Sequence, residues 1–419
     1  MAKCKLDTSV CSDTDNCRVL RNPRDVKTVF KDSDKHTKAV NNNAGWLMSE
    51  LLGQCMGLIS GGEYRRARDA TTPAFSHKSA LSYLSRISAI TKEHMKALSG
   101  RLDNRIHPVA DLRFLPFWIM VDIIYGRISS TLRKELESLV VLRESLWGRM
   151  IQGGSTRYSW AQYLPTSTAR DLRDFKTRWE RFNDEAHDSC GESDATIVSM
   201  YAEMKKGSIT RQGLLQTIDE MLFANLDVSM GGISWTLMFL ASHSKVQDEV
   251  RQEAREARIS RKSTSWDDYL QSSTTMLAAC ILEAGRLKPL AAFSVPQSAP
   301  TNRVVSGFLV PAGTNFIVDT HALNISNPFW GEDRDQYRPA RFLEKKTSDM
   351  RYQYWRFGFG PRQCLGKYFV ELLIRVLVTE LVENYRLGLM ENTHWEKNAT
   401  TWILHPDTEL RCESLKVKI

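Results

Sequence analysis

No stretch of eighteen or more apolar residues occurs in the chain, so no segment of it reads as a membrane-spanning helix. The opening run MAKCKLDTSVCSDTDNC lacks an apolar core behind a basic start, which excludes a signal peptide or an anchor there. No internal repeat or low-complexity linker divides the sequence. Cysteine is present but without order. Cys4, Cys11, Cys17, Cys55, Cys190, Cys280, Cys364 and Cys412 are irregularly spaced over 419 residues, which argues against a disulfide framework and for reduced thiols in a cytosol-facing protein. No second Cys/His pair lies at a useful distance from Cys4, Cys11 and Cys17, so a zinc site is not indicated. The net charge of +8 and pI near 9.0 would suit nucleic acid, an anionic membrane surface or an acidic protein partner. No nucleic-acid-binding motif supports the first, and most basic residues are scattered, as on a solvated surface.

What is present is mainly helical. Apolar residues three and four apart predict helices over 79–98, 133–150, 166–187, 212–242, 244–257 and 272–286. The segment 212–242 is apolar enough to lie at the centre of the molecule. Short strands are predicted at 304–310 and 315–318, around the turn Pro311-Ala312-Gly313, and a further pair at 402–404 and 410–419. Residues 1–20 read as a loose polar segment. Residues 21–419 read as one domain, helix-rich to about 290 and mixed strand and loop from 291.

The densest chemical pattern is Phe357-Gly358-Phe359-Gly360-Pro361-Arg362-Gln363-Cys364-Leu365-Gly366. Its glycines allow tight turns and close approach of a flat ligand, and Pro361 stiffens the turn. Helical spacing of Leu365, Phe369, Leu372, Leu373, Val376 and Leu377 places Cys364 near a helix start, where exposed N–H groups favour a thiolate. A lone cysteine is more often simply buried; inside this pattern a metal ligand is the better reading. The run resembles the FxxGxRxCxG haem-binding loop of the cytochrome P450 superfamily. That resemblance implies a mainly α fold with small β-sheets, haem b as cofactor and Cys364 as axial ligand of its iron. It also implies Arg362 on a propionate and Phe357, Gly358 and Gly366 shaping the loop. A thiolate in that position favours O–O bond cleavage.

Three further segments carry the resemblance. Glu283-Ala284-Gly285-Arg286 is similar to the family's ExxR, and Arg338-Pro339-Ala340-Arg341-Phe342 resembles its PERF segment with Ala340 in place of the acid. The resemblance implies a buried structural network of Glu283, Arg286 and Arg341; alone, an ExxR is an ordinary surface pair. Tyr64-Arg65-Arg66-Ala67-Arg68 looks like the WxxxR helix, with Arg68 on a propionate and Tyr64 in place of Trp or His. Arg65 and Arg66 are candidates to face an acidic redox partner. Ala224-Asn225-Leu226-Asp227-Val228-Ser229 aligns with the oxygen-binding helix, where Ala224 lines the oxygen site and Asp227 feeds protons inward. Here the chain departs from the family. Asn225 replaces the usual Gly and Val228 the usual Thr, while Ser229 offers a hydroxyl about 100° further round the helix. Gly231 and Gly232 are expected to relax the helix one turn on.

The resemblance therefore implies a monooxygenase using dioxygen and electrons from NADPH–cytochrome P450 reductase on a small hydrophobic substrate, with no nucleic-acid role. The wording around 318–331 and 354–356 is similar to fungal secondary-metabolism members of dioxopiperazine pathways, so an indole or dioxopiperazine is the expected substrate type. Val228 keeps oxidative C–C, C–N or C–S coupling open as an alternative. Family members usually sit on the cytosolic face of the endoplasmic reticulum through an anchor, and a full-length form could associate with membrane. This chain is expected to lack that anchor, the first helix and the first strands, to show an incomplete N-terminal sheet, and, as a further alternative, to be a haem-binding remnant without turnover.

Overall fold

Helix starts follow side-chain caps. In the computed structural model, which describes residues 17–38, 45–99, 103–191, 194–259, 265–396, 403 and 405–415, Thr210 Oγ1 accepts the Gly213 N–H at 3.0 Å and opens the helix Arg211–Ser242. Ser129, Thr166 and Thr275 do the same for Ser130–Gln152, Ser167–Cys190 and Met276–Leu287. Arg211–Ser242 is the central helix. It packs against Phe114–Tyr125, Met276–Leu287 and Lys367–Asn384, and most of its residues are buried. Its Asp219 pairs with the buried Arg143 at 2.8 Å, which sets the rotation of the helix against Ser130–Gln152. The helix runs unbroken through Gly231-Gly232, so the expected relaxation is not there. A Cβ on Gly232 would lie 3.4 Å from Ile374 Cδ1, and the glycine instead admits Lys367–Asn384 at close range.

The strands are β1 (Cys17–Leu20), β2 (Thr37–Lys38), β3 (Arg105–Ile106), β4 (Gln297–Ser298), β5 (Arg303–Val305), β6 (Phe308–Val310), β7 (Asn315–Val318), β8 (Tyr385–Leu389) and β9 (Leu410–Ser414). They form sheets ordered β1-β7-β4-β2, β3-β9-β8 and β5-β6, with β1 parallel to β7 and the other pairs antiparallel.

Several expectations are corrected. Residues 17–20 are not loose. They pair with 315–318, and Leu20 and Val318 bury together in a satellite core. The predicted strand 304–310 is a hairpin, folded at Ser306 (φ 49°) and Gly307 (φ 85°), with Asp25 accepting the Ser306 N–H at 2.9 Å. Helix 272–286 begins only at Met276. Arg375 Nη1 donates to the carbonyls of Leu270 and Ser272, both at 2.8 Å, and holds the preceding residues out of the helix. Residues 402, 404 and 416–419 of the predicted C-terminal pair, and 1–16 of the N-terminal segment, lie outside the described residues.

The satellite core fixes where the cysteine loop sits. Leu20, Val29, Phe30, Phe316 and Val318 are buried together, and Trp355 and Phe359 pack on them. Phe30 meets Trp355 edge-on at 5.6 Å, and Trp355 meets Phe359 edge-on at 5.0 Å. The β1-β7-β4-β2 sheet thereby carries the loop.

Candidate active site

The loop is clamped from two sides. Gly358 (φ 81°) and Gly360 (φ 71°) occupy the left-handed region. A Cβ on Gly360 would overlap the Phe30 carbonyl, so only glycine lets the loop lie on the helix Pro23–Phe30. Ser33, fully buried, donates its hydroxyl to Phe359 O and accepts the Arg362 N–H, both at 3.1 Å. The Cys364 N–H closes the loop on Phe357 O at 2.8 Å. Gly366 has an ordinary negative φ of −79°, so the backbone does not require glycine there. A Cβ would meet little besides Val370 Cγ2 at 4.0 Å, leaving the face above it open.

Cys364 is accessible by surface area although protein surrounds it closely, the combination that a thiol lining an internal space gives. Burial pushes this thiol above its ordinary range, against the pull of the Gly366 N–H and Arg68. A thiolate at this position therefore calls for more positive charge than the helix start and Arg68 supply, and a metal ion is such a charge.

Tyr64 and Arg68, one turn apart on the helix Gly61–Thr71, face this region. The Tyr64 hydroxyl is buried with no hydrogen-bond partner among the described residues, and Arg68 has no carboxylate partner among them. Arg362 lies over the Tyr64 ring at 3.9 Å. Its guanidinium donates to His36 O at 3.4 Å, Gly57 O at 3.5 Å and Ile59 O. Arg362 thus ties the loop to the 57–59 turn, a use its motif did not indicate. Arg65 and Arg66 are exposed.

Glu283, Arg286 and Arg341 come together with no exposure. Glu283 accepts from Arg286 Nε at 2.7 Å, Arg286 Nη2 at 2.9 Å, Arg341 Nε at 2.8 Å and the Arg338 N–H at 3.0 Å. Arg341 also holds Trp330 O at 2.6 Å and Asp333 Oδ1 at 3.0 Å, and Arg286 holds Asn324 O at 2.8 Å. Asn324 in turn exchanges two hydrogen bonds with the Trp355 backbone at 2.7 and 2.8 Å. The network therefore reaches the first turn of the cysteine loop through Asn324, which sequence reasoning missed.

On the central helix Ala224 is exposed although it lies mid-helix among core residues, so it too borders an internal space. Asp227 is partly exposed and lies 3.6 Å from Arg113 Nη2, which also bonds Glu144. His405 is nearby; burial lowers its pKa and Asp227 opposes the shift. Ser229 is buried and donates its hydroxyl to Asn225 Oδ1 at 2.7 Å, while Asn225 donates to Met221 O at 2.6 Å. The Ser229 proton is thus directed along the helix to Asn225, the residue standing in the usual glycine position.

A mainly helical fold carrying a glycine-clamped, accessible cysteine ahead of a buried helix is that of the haem-thiolate oxidoreductases. The family model described as Cytochrome P450 matches residues 12–412, and the chain belongs to the cytochrome P450 family. It is 51% identical over 404 residues to "Cytochrome P450 monooxygenase aclC" of Aspergillus oryzae, covering 94% of this chain and 82% of that protein. It is 42% identical to "Cytochrome P450 monooxygenase asaD" of Aspergillus flavus (94% and 77% covered) and 37% identical to "Cytochrome P450 monooxygenase gliC" of Aspergillus fumigatus (94% and 80%). The chain is an oxidoreductase of this family, whose members carry haem with a thiolate ligand and use dioxygen with a redox partner. The residues fit that group: an accessible inward thiol, an unpartnered buried Tyr64 hydroxyl, the Arg68 charge and the open face over Gly366 suit a flat anionic metal complex. No helix among the described residues is long and apolar enough to cross a membrane.

Proposed function

We propose that this chain is a haem-dependent monooxygenase of fungal secondary metabolism that oxidises a small hydrophobic metabolite of indole or dioxopiperazine type, with residues 21–419 acting as one domain. The observation that carries it is the accessible Cys364 thiol at a helix start, inside the protein. Haem supplies the oxygen-activating chemistry when bound. Cys364 would ligate its iron, Arg68 and Tyr64 would hold a propionate, and Arg362 would add positive charge on that side while bracing the loop. Phe357, Gly358 and Gly366 would shape the loop against it. Ala224 would leave room for dioxygen, and Asp227, 3.6 Å from Arg113, would relay protons inward. Electrons come from NADPH through a flavoprotein reductase docking on the basic face that includes Arg65 and Arg66. The test is the spectrum of the reduced carbon monoxide complex: a strongly red-shifted band is expected, and its absence in reconstituted protein sinks the reading.

Val228, with the Ser229 hydroxyl committed to Asn225, favours oxidative coupling as a second reading. Val228→Thr separates the two. If hydroxylation is native, restoring the hydroxyl should lower hydrogen peroxide release per NADPH several-fold. An unchanged ratio points to coupling chemistry that does not draw on that proton.

A further inference from the structure

The accessible stripe of the central helix holds one group that neither the oxygen segment nor the Glu283 network uses. Glu220, Ala224, Asp227 and Val228 keep exposure at i, i+4, i+7 and i+8, while Leu222, Phe223, Asn225 and Leu226 between them are buried and Met221 is half-buried. These four residues form one face, and Glu220 precedes Ala224 by about 6 Å along the axis. Glu220 also lies within electrostatic range of Cys364 and Arg362.

Burial raises the Glu220 pKa, and hydrogen bonds from Gly57 and Cys55 and the Lys38 charge oppose that shift. Glu220 Oε2 accepts the Gly57 N–H at 3.0 Å. The Cys55 thiol hydrogen bonds to it, and burial beside this carboxylate keeps Cys55 protonated, so that it donates. A Cβ on Gly57 would overlap Glu220 Oε1; glycine at 57 is what lets the turn close over the acid. Lys38 lies within electrostatic reach of both Glu220 and Arg362. A carboxylate this enclosed costs several kcal/mol unless it is well paired, and an apolar residue would serve packing better. Glu220 is half-buried, and the helix sets it on the same face as Ala224. A cationic ligand there would meet Lys38 and Arg362, whereas a neutral donor adds a hydrogen bond without adding positive charge.

We propose that Glu220 is a substrate-orienting residue, accepting a hydrogen bond from an uncharged N–H of amide or indole type. This rests on the monooxygenase reading above and deepens it. The helix geometry then sets the bound N–H about one helical turn from Ala224, so the carbon presented for oxidation lies at that distance from the nitrogen.

The test measures binding by equilibrium dialysis of holoprotein with two matched pairs: cyclo(L-Phe-L-Phe) against its N,N′-dimethyl form, and 3-methylindole against 1,3-dimethylindole. At least one N–H form should bind roughly 10- to 100-fold more tightly than its N-methyl partner. Glu220→Leu should bring that ratio close to one, and Glu220→Gln, which keeps an acceptor oxygen, should retain part of it. No preference in either pair, binding of none of the four, or a preference that survives Glu220→Leu overturns the proposal. If Glu220→Leu does not fold, Glu220→Gln decides: a fall of at least about threefold is expected, and an unchanged ratio overturns it. The two readings fail separately. A missing carbon monoxide band defeats the Cys364 assignment, whereas an intact band with an unchanged ratio defeats only Glu220.

Discussion

Cys364→Ala is expected to leave a folded protein whose reduced carbon monoxide complex has no red-shifted band and whose turnover falls to background. Losing an outer partner of a metal ligand costs roughly 10- to 100-fold, and losing the ligand itself costs more. The fold should survive because the side chain is accessible and the loop is closed by backbone: the Cys364 N–H to Phe357 O at 2.8 Å and the Ser33 clamp are untouched. A stability change within about 0.5 kcal/mol follows, since no core contact or buried polar pair is removed. Visible spectra of the reduced complex, with circular dichroism and a thermal midpoint as controls, decide it. A variant that keeps the band assigns the ligand elsewhere; one that unfolds would show that Cys364 packs as a core residue.

Glu283→Gln should have the largest effect on stability. Glu283, itself without exposure, accepts four hydrogen bonds from the two buried guanidiniums and one backbone N–H. Glutamine keeps the shape, but it removes the charge and turns one acceptor into a donor facing donors. Breaking a buried pair in this way costs about 3–5 kcal/mol, a large part of the roughly 5–15 kcal/mol that holds a domain folded. Because the network reaches Trp355 through Asn324, the loss should appear first as poor haem retention by the cysteine loop. Haem content per protein and the denaturant midpoint measure it. A midpoint equal to wild type would mean that the network contributes no net stability. The surface pair Arg133–Glu137, 3.3 Å apart and exposed, is the contrasting control: Glu137→Gln should change stability by less than about 1 kcal/mol.

The sequence was readable where chemistry is local or motif-bound. Periodicity located the central helix within a residue, 212–242 against Arg211–Ser242, because an apolar helix in a core needs apolar residues on every side. The loop glycines pointed to tight turning, and Gly358 and Gly360 turn as expected; Gly366 does not. Period-two patterning made 304–310 a strand, but the turn at Ser306-Gly307 depends on Asp25, 281 positions away. Nothing local in the sequence marks a carboxylate that caps a distant turn.

By itself the sequence determined the family, the thiol at 364 and the residues of the Glu283 network. Those rest on side-chain types at set spacings, and spacing is a property of the chain. Only the tertiary structure decided that Ser33 and the Phe30 carbonyl clamp the loop, that Arg362 spends its donors on the carbonyls at 36, 57 and 59, that Ser229 gives its proton to Asn225, and that Glu220 accepts the Gly57 N–H. Each of these is a directional contact of about 3 Å between groups that are mostly remote in sequence. Hydrogen-bond geometry at that range depends on where whole helices come to rest, which no local pattern encodes.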